Sequence, residues 1–246
     1  MTAASTGGEA AFADHFSASE LPTLQRIKAF PRFVPRPQQA SYLFKWEVFK
    51  RVLDVQGSIV ELGVYLGAGL FAFANFSTML EPYNYQRRLI GFDTFAGFPD
   101  VAAEDTQTGM PVEQRRAGGF AVPDGHLAEL RASAALYDAN RYLAERPKIE
   151  LIKGDVRLTI RPFLENNPHL LISMLYLDLD LYEPTEFALT ALWQRVVPGG
   201  IVVFDEVNDP RWPGETLAML KHFGGAPGRL ERLSFEPSAC FLVKSR

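Results

Sequence analysis

Glu61, Asp93, Asp155, Asp178, Asp180, Asp205 and Glu206 each fall at or just past the end of a short apolar run rich in β-branched residues. A helix cap explains any one of Asp93, Asp155 or Asp205, because an aspartate oxygen accepts the free amides of a helix's first turn. Acids after five runs out of five ask for more. Clustered carboxylates repel one another and lose hydration, so a fold that gathers them neutralises them with a cation or a hydrogen-bonding ligand. The first run, SIVELGV (58–64), leads into glycines: Gly63, Gly67 and Gly69 give G-x-x-x-G-x-G rather than G-x-G-x-x-G. A dinucleotide site needs the second spacing and an acid about 20 residues on, whereas Asp93 lies 30 residues beyond Gly63. An acid-headed glycine loop of this kind suits a ligand with a cationic group and a ribose better than a pyrophosphate.

Other chemistries lack their residues. His15, His126, His169 and His222 form neither H-x-D nor H-x-x-x-H, which disfavours a two-histidine iron oxygenase or a zinc hydrolase. No G-x-S-x-G elbow occurs. Cys240, the single cysteine, excludes an internal disulfide and a thiolate metal cluster and fits a reducing, cytoplasmic compartment.

Positioning these acids requires strands that alternate with helices. Strands are expected at 58–64, 88–92, 149–154, 171–179 and 199–206, with helices at 38–55, 68–80, 124–146, 158–167, 184–196 and 214–224. RLERLSF and ACFLVKS form a hairpin around Glu236-Pro237-Ser238. Alternation of this kind implies a parallel α/β sheet covered on both faces, with ligands beyond the carboxyl ends of the strands. The polar, glycine- and proline-rich stretch 95–123 is an irregular insertion in one crossover. Residues 1–20 read as a flexible small-residue tail. Residues 21–57 read as an N-terminal segment that serves as lid or oligomer contact, extended at 21–37 under its four prolines and helical beyond. Residues 58–246 form the ligand-binding domain.

Composition excludes several classes. The chain has 246 residues, is 47% hydrophobic, and carries 25 Lys and Arg against 29 Asp and Glu, a net charge of −4. That balance opposes binding to nucleic-acid backbones, which needs a basic face. No run of about 18 apolar residues occurs, so no membrane span is expected.

Three motifs, ELGVYLGAG, GFDTFAGFP (91–99) and IKGD (152–155), with the terminal hairpin, resemble a class I S-adenosylmethionine-dependent methyltransferase: a Rossmann-like, mostly parallel seven-stranded sheet with a C-terminal antiparallel hairpin. YLDLDLYEPTEFAL (176–189) and VVPGGIVVFDEVNDPRWPGETLA (196–218) narrow the resemblance to sugar methylating enzymes of the macrocin O-methyltransferase type, over about Ser58 to Ala218. One departure is Asp205-Glu206, where relatives commonly carry two aspartates. The resemblance implies that Glu61, Gly63, Gly67, Asp93 and Asp155 bind S-adenosylmethionine, with Asp93 on the ribose hydroxyls and Asp155 near the adenine. It also implies Mg²⁺ on Asp178, Asp205 and Glu206, whose hard oxygens suit that ion, and Asp180 as the base that takes the proton of a sugar hydroxyl. Asp180 as a second ligand or a helix cap remains open. Residues two apart on a strand point the same way, so Asp178 and Asp180 face the site together if the strand stays regular there.

The implied partner is a small-molecule sugar, either a TDP-deoxysugar or a finished glycoside, and the implied assembly is a homo-oligomer. Arg32, Arg36, Arg115 and Arg116 are candidates to meet a diphosphate. A nucleotide-dependent oxidoreductase and a non-catalytic cofactor-binding scaffold are the alternatives. The glycine spacing disfavours the first and the intact acids the second.

Overall fold

The computed structural model describes residues 3–245. Seven strands form one sheet: β1 (Ser58–Leu62), β2 (Leu89–Asp93), β3 (Ile149–Lys153), β4 (Ile172–Leu177), β5 (Val196–Phe204), β6 (Glu231–Leu233) and β7 (Glu236–Val243). Their order is β3-β2-β1-β4-β5-β7-β6, with β7 antiparallel to both β5 and β6. The expected sheet of a class I methyltransferase, with its terminal hairpin, is therefore present. The hairpin turn differs: Leu233 pairs with Glu236, so Ser234 and Phe235 turn the chain and Glu236–Ser238 open β7.

Period-2 alternation along the buried strands sends side chains into two layers. Ile59, Met174, Tyr176, Ile201, Val203 and Phe241 pack on one face with Phe44, Phe49, Phe73 and Phe76 of α3 (Arg36–Lys50) and α4 (Ala68–Leu80). Val60, Leu62, Leu175, Leu177, Val202 and Phe204 pack on the other with Ile160, Leu189 and Met219. Those three belong to α7 (Val156–Asn166), α8 (Tyr182–Leu192) and α9 (Pro213–Phe223).

The N-terminal segment departs from expectation. Residues 3–17 form a helix, α1 (Ala3–Ser17), rather than a flexible tail. Its alanines favour the helix, and its end is held because Phe33 receives Phe16 at 5.3 Å and His15 at 5.4 Å between ring centroids. Residues 21–37 are not extended: they form α2 (Thr23–Lys28) and a 3₁₀ turn, Phe30–Arg32. The prolines stand just before or within first turns, where no amide is needed, and so separate the helices instead of preventing them. The insertion contains α5 (Ala103–Thr106), and the crossover's helical half is α6 (His126–Ala139), shorter than the expected 124–146.

One buried cation ties the amino ends of the strands together. Arg87, 3% exposed, donates to the carbonyls of Val52, Leu53, Val55 and Gly57, to Ser173 Oγ at 2.5 Å and to Glu81 at 2.7 Å. Replacing a buried, fully partnered charge strands every group it served. Arg87→Met is expected to lower unfolding free energy by about 3–5 kcal/mol in urea titration. A loss under about 1 kcal/mol would remove Arg87 as the tie.

Candidate active site

The strand order reverses between β1 and β4, and a cavity of about 240 Å³ opens at the carboxyl ends beside that switch point. Gly63, Asp93, Asp155, Asp178, Asp180, Asp205 and Glu206 all line it. Two expected residues do not. Glu61 lies behind the cavity, 2% exposed, where it accepts the amide of Leu70 at the start of α4. Gly67 caps α4 in the left-handed region (φ 86°) and packs against Leu130 and Phe71. Gly63 is needed for closeness: at φ 92°, a Cβ there would lie 1.8 Å from the carbonyl oxygen of Asp178.

The acids form one electrostatic unit. The Tyr176 hydroxyl donates to Asp205 at 2.8 Å from a fully buried ring. The Glu206 amide donates to Glu215 at 2.6 Å, and Glu215 is itself fully buried in α9. Burial first, then repulsion from Asp205 and Asp180, raises Asp178 well above the usual carboxylate range. Asp180 is pushed up to about 7 by burial and then Asp205, and Glu206 to about 8 by the same two causes. One cation reaches the cluster from below. Lys45 of α3 donates to Ser41 Oγ at 2.9 Å, sits 4.9 Å from the Tyr176 ring centroid and favours the charged forms of Glu61 and Asp178.

β4 does not remain regular as far as Asp180. It ends at Leu177, Asp180 takes φ 60°, and the Leu181 amide closes onto the Leu179 carbonyl at 2.6 Å. This γ-type turn, rather than strand alternation, brings Asp178 and Asp180 to the same cavity.

In the other half of the cavity, acids accept backbone amides. Asp93 accepts the Tyr65 amide at 2.7 Å on one oxygen and the Phe95 amide at 2.6 Å on the other. Each oxygen keeps a second lone pair for a ligand donor. Asp155 caps α7 through the Arg157 amide at 2.9 Å, so the cap reading of this acid holds while it lines the cavity. Arg157, which sequence spacing does not single out, donates to Asp155 at 2.6 Å, Asp100 at 2.9 Å and Glu183 at 2.6 Å. It is the only basic lining residue among the described residues, and three carboxylates already share it.

The arginines expected near a diphosphate are elsewhere. Arg32 lies over the Phe33 ring, Arg36 and Arg116 are exposed away from the cavity, and Arg115 donates to the carbonyls of Met110 and Arg211. None of the four lines the cavity, and Arg115 instead ties the insertion to the loop after β5.

A divalent cation can be tested against the donor set. Asp178, Asp205 and Glu206 offer hard oxygens only, and buried Glu206 Oε2 and Glu215 Oε1 have no partner. These features fit such an ion. As they stand, no three His, Cys, Asp or Glu side chains among the described residues close into a coordination shell. Tyr176 and Glu215, which hold the loop after β5, give no signal in sequence beyond an apolar strand and a helix start.

Glu61 generates a stability test. Burial raises it to about 8, ahead of the opposing pull of Lys45, so the folded state holds a proton that the unfolded chain releases near pH 4.5. Its favourable contribution is complete below that pH and is lost as pH climbs toward 8, by up to about 1.4 kcal/mol per unit. Relative to wild type, Glu61→Gln is expected to gain melting temperature between pH 5 and 8. A difference independent of pH would mean that Glu61 is charged throughout.

With this geometry in view, the comparisons are specific. Residues 47–222 match the model of the macrocin-O-methyltransferase (TylF) family. The 8-demethyl-8-(2,3-dimethoxy-α-L-rhamnosyl)-tetracenomycin-C 4′-O-methyltransferase of Streptomyces olivaceus is 30% identical over 154 residues, 62% of this chain. The matched region spans about half (53%) of that relative's length. Among solved structures, the calicheamicin methyltransferase CalS11 superposes with a TM-score of 0.92 at 35% identity, covering 99% of this chain and 93% of that one. An apo form of CalS11, a TDP-rhamnose 3′-O-methyltransferase, gives 0.84 at 33%, covering 99% and 95%. The O-methyltransferase NovP, at 20% identity and 0.65 over 84% and 80%, shares the fold. From the last turn of α3 to the last turn of α9, this chain belongs to the macrocin O-methyltransferase family.

Proposed function

We propose that this protein is an S-adenosylmethionine- and Mg²⁺-dependent O-methyltransferase that methylates a hydroxyl of a rhamnose-type 6-deoxyhexose in natural-product biosynthesis. The observation that carries this reading is the division of one cavity. Asp93 and Asp155 stand at the ends of β2 and β3, and Asp178, Asp180, Asp205 and Glu206 at the ends of β4 and β5. The names of the two relatives above 25% identity both contain a rhamnose unit, one as a glycoside and one as a nucleotide sugar.

S-adenosylmethionine, when bound, supplies a methyl group already activated on a sulfonium. The free lone pairs of Asp93 would accept the ribose hydroxyls, and Gly63 lets the chain pass close to Asp178. Glu61, buried behind the glycine loop, accepts the Leu70 amide and holds the start of α4 against that loop. Asp178, Asp205 and Glu206 would hold Mg²⁺, which supplies a charge that makes a sugar hydroxyl more acidic. Asp180, held near neutrality by burial and Asp205, takes that proton as the oxygen–methyl bond forms and the sulfur–methyl bond breaks. Alignment within one cavity supplies much of the remaining acceleration. Glu215 and Tyr176 fix the loop that presents Asp205 and Glu206. Exposed Leu24, Ile27, Phe30 and Leu43 on the N-terminal helices support a homo-oligomer as part of this reading.

Asp180→Asn is expected to lower kcat by about 10²–10⁴ with cofactor Kd unchanged, read by radiolabelled methyl transfer and calorimetry. Chelation with EDTA is expected to abolish turnover while cofactor binding persists. Full activity in chelator would remove the three-carboxylate ion site from this account, and tighter binding of NAD than of S-adenosylmethionine would overturn the reading as a whole.

A further inference from the structure

The insertion does more than cover the cavity. Phe120 takes φ 57°, a conformation that bulky side chains rarely adopt, and its ring is 37% exposed where it lines the cavity. Tyr65, in the loop after β1, is also left-handed (φ 48°), 45% exposed and part of the lining. The two rings meet edge to face at 5.8 Å. Phe98 lies 5.5 Å from Phe120, and Trp212, buried at the start of α9, packs against both at 6.0–6.1 Å.

The frame behind these rings is fixed. Phe98 and the 118–119 segment exchange backbone hydrogen bonds at 2.8 and 3.0 Å. Gly119 has no room for a Cβ, which would lie 1.7 Å from the Gln114 carbonyl. Buried Asp105 accepts the amides of Tyr182 at 2.7 Å and Ala102 at 2.9 Å, and Thr108 donates to the Pro210 carbonyl at 2.6 Å. A segment with few core residues is thus pinned at several points, and an exposed aromatic held in a strained conformation is the result. Packing alone does not account for a phenylalanine kept strained and half in solvent.

An aromatic wall and a row of carboxylates line the same cavity, which makes the cavity two-sided. A pyranose has matching surfaces: an apolar face of C–H groups, extended by the methyl of a 6-deoxy sugar, and a rim of hydroxyl donors. We propose that Phe120, flanked by Tyr65 and Phe98, is the platform on which the acceptor's pyranose ring stacks, and is a specificity-determining residue. This assignment rests on the sugar-methylating reading for its ligand and adds residues that the acid chemistry does not supply.

The test is direct binding, independent of turnover. Methyl α-L-rhamnopyranoside and TDP-rhamnose are titrated against wild type, Phe120→Ala and Phe120→Tyr with S-adenosylhomocysteine present, following tryptophan fluorescence and calorimetry. Wild type is expected to bind at least one probe. Phe120→Ala is expected to weaken it about tenfold and Phe120→Tyr to restore it, with cofactor Kd unchanged within twofold. The tighter of the two probes identifies the source of the sugar, glycoside or nucleotide, and either supports the platform. Unchanged sugar affinity in Phe120→Ala, an equal fall in cofactor affinity, or no sugar binding by wild type would overturn it. Methyl transfer by wild type is measured in parallel. Its absence with sugar binding intact would sink the methyltransferase reading and leave the platform standing.

Discussion

Five parallel strands deliver acidic side chains to one edge of a sheet whose interior is apolar, and the rest of the site follows from the cost of keeping them there. Carboxylates that are both desolvated and close together repel, and the protonated form becomes competitive near neutral pH. Asp178, Asp180, Glu206, Glu215 and Glu61 all move in that direction, each chiefly through burial. Lys45 offsets part of the repulsion from below, and the Tyr176 hydroxyl and the Glu206 amide satisfy one oxygen each. What remains is a cluster of acids at the cavity whose burial and mutual repulsion are only partly offset. Stability is sacrificed locally for affinity, a trade expected where a site must attract positive charge.

Backbone devices, more than side-chain packing, aim the groups at that edge. Tyr65, Phe95 and Asp180 are non-glycine residues with positive φ, and all stand within two residues of a strand-end acid or of Gly63. Tyr65 and Phe95 are held by the oxygens of Asp93, so a cavity-lining acid also fixes the loops on either side of it. The γ-type turn at Asp180 replaces two further strand residues and keeps the carboxylate at the cavity. Such conformations persist only where neighbouring contacts over-determine them. For Tyr65 and Phe95 those contacts are hydrogen bonds to the Asp93 carboxyl, and for Asp180 the Leu181–Leu179 backbone bond that closes its turn.

The insertion and the N-terminal helices are held to this core by different means. The insertion relies on polar anchors, from Asp105 to Tyr182 and from Thr108 to Pro210, and on the Arg157 cluster that joins Asp100 to Asp155 and Glu183. α3 relies on burial, since Phe44, Val48 and Phe49 enter the same core as α4. It therefore carries Lys45 to the site as part of the folded body, although it precedes the first strand in the chain.

By itself the sequence determined the alternation of strands and helices, the terminal hairpin, the acids at five strand ends and a glycine spacing unsuited to a pyrophosphate. These are local consequences of burial: a strand covered on both faces must be apolar, and whatever follows its last buried residue stands at the sheet's edge. Only the tertiary structure decided how Asp180 reaches the cavity, that Glu61 sits behind it, and that Arg115 spends its donors on the carbonyls of Met110 and Arg211. It alone turned residues 3–17 of the expected tail into a helix, because Phe33 offers His15 and Phe16 a surface that no local pattern announces. Partners such as Tyr176 and Asp205, Asp105 and Tyr182, or Thr108 and Pro210 lie 29, 77 and 102 residues apart. Periodicity reports which face a residue presents, whereas contacts across such separations exist only once the crossovers have closed and set the strand order.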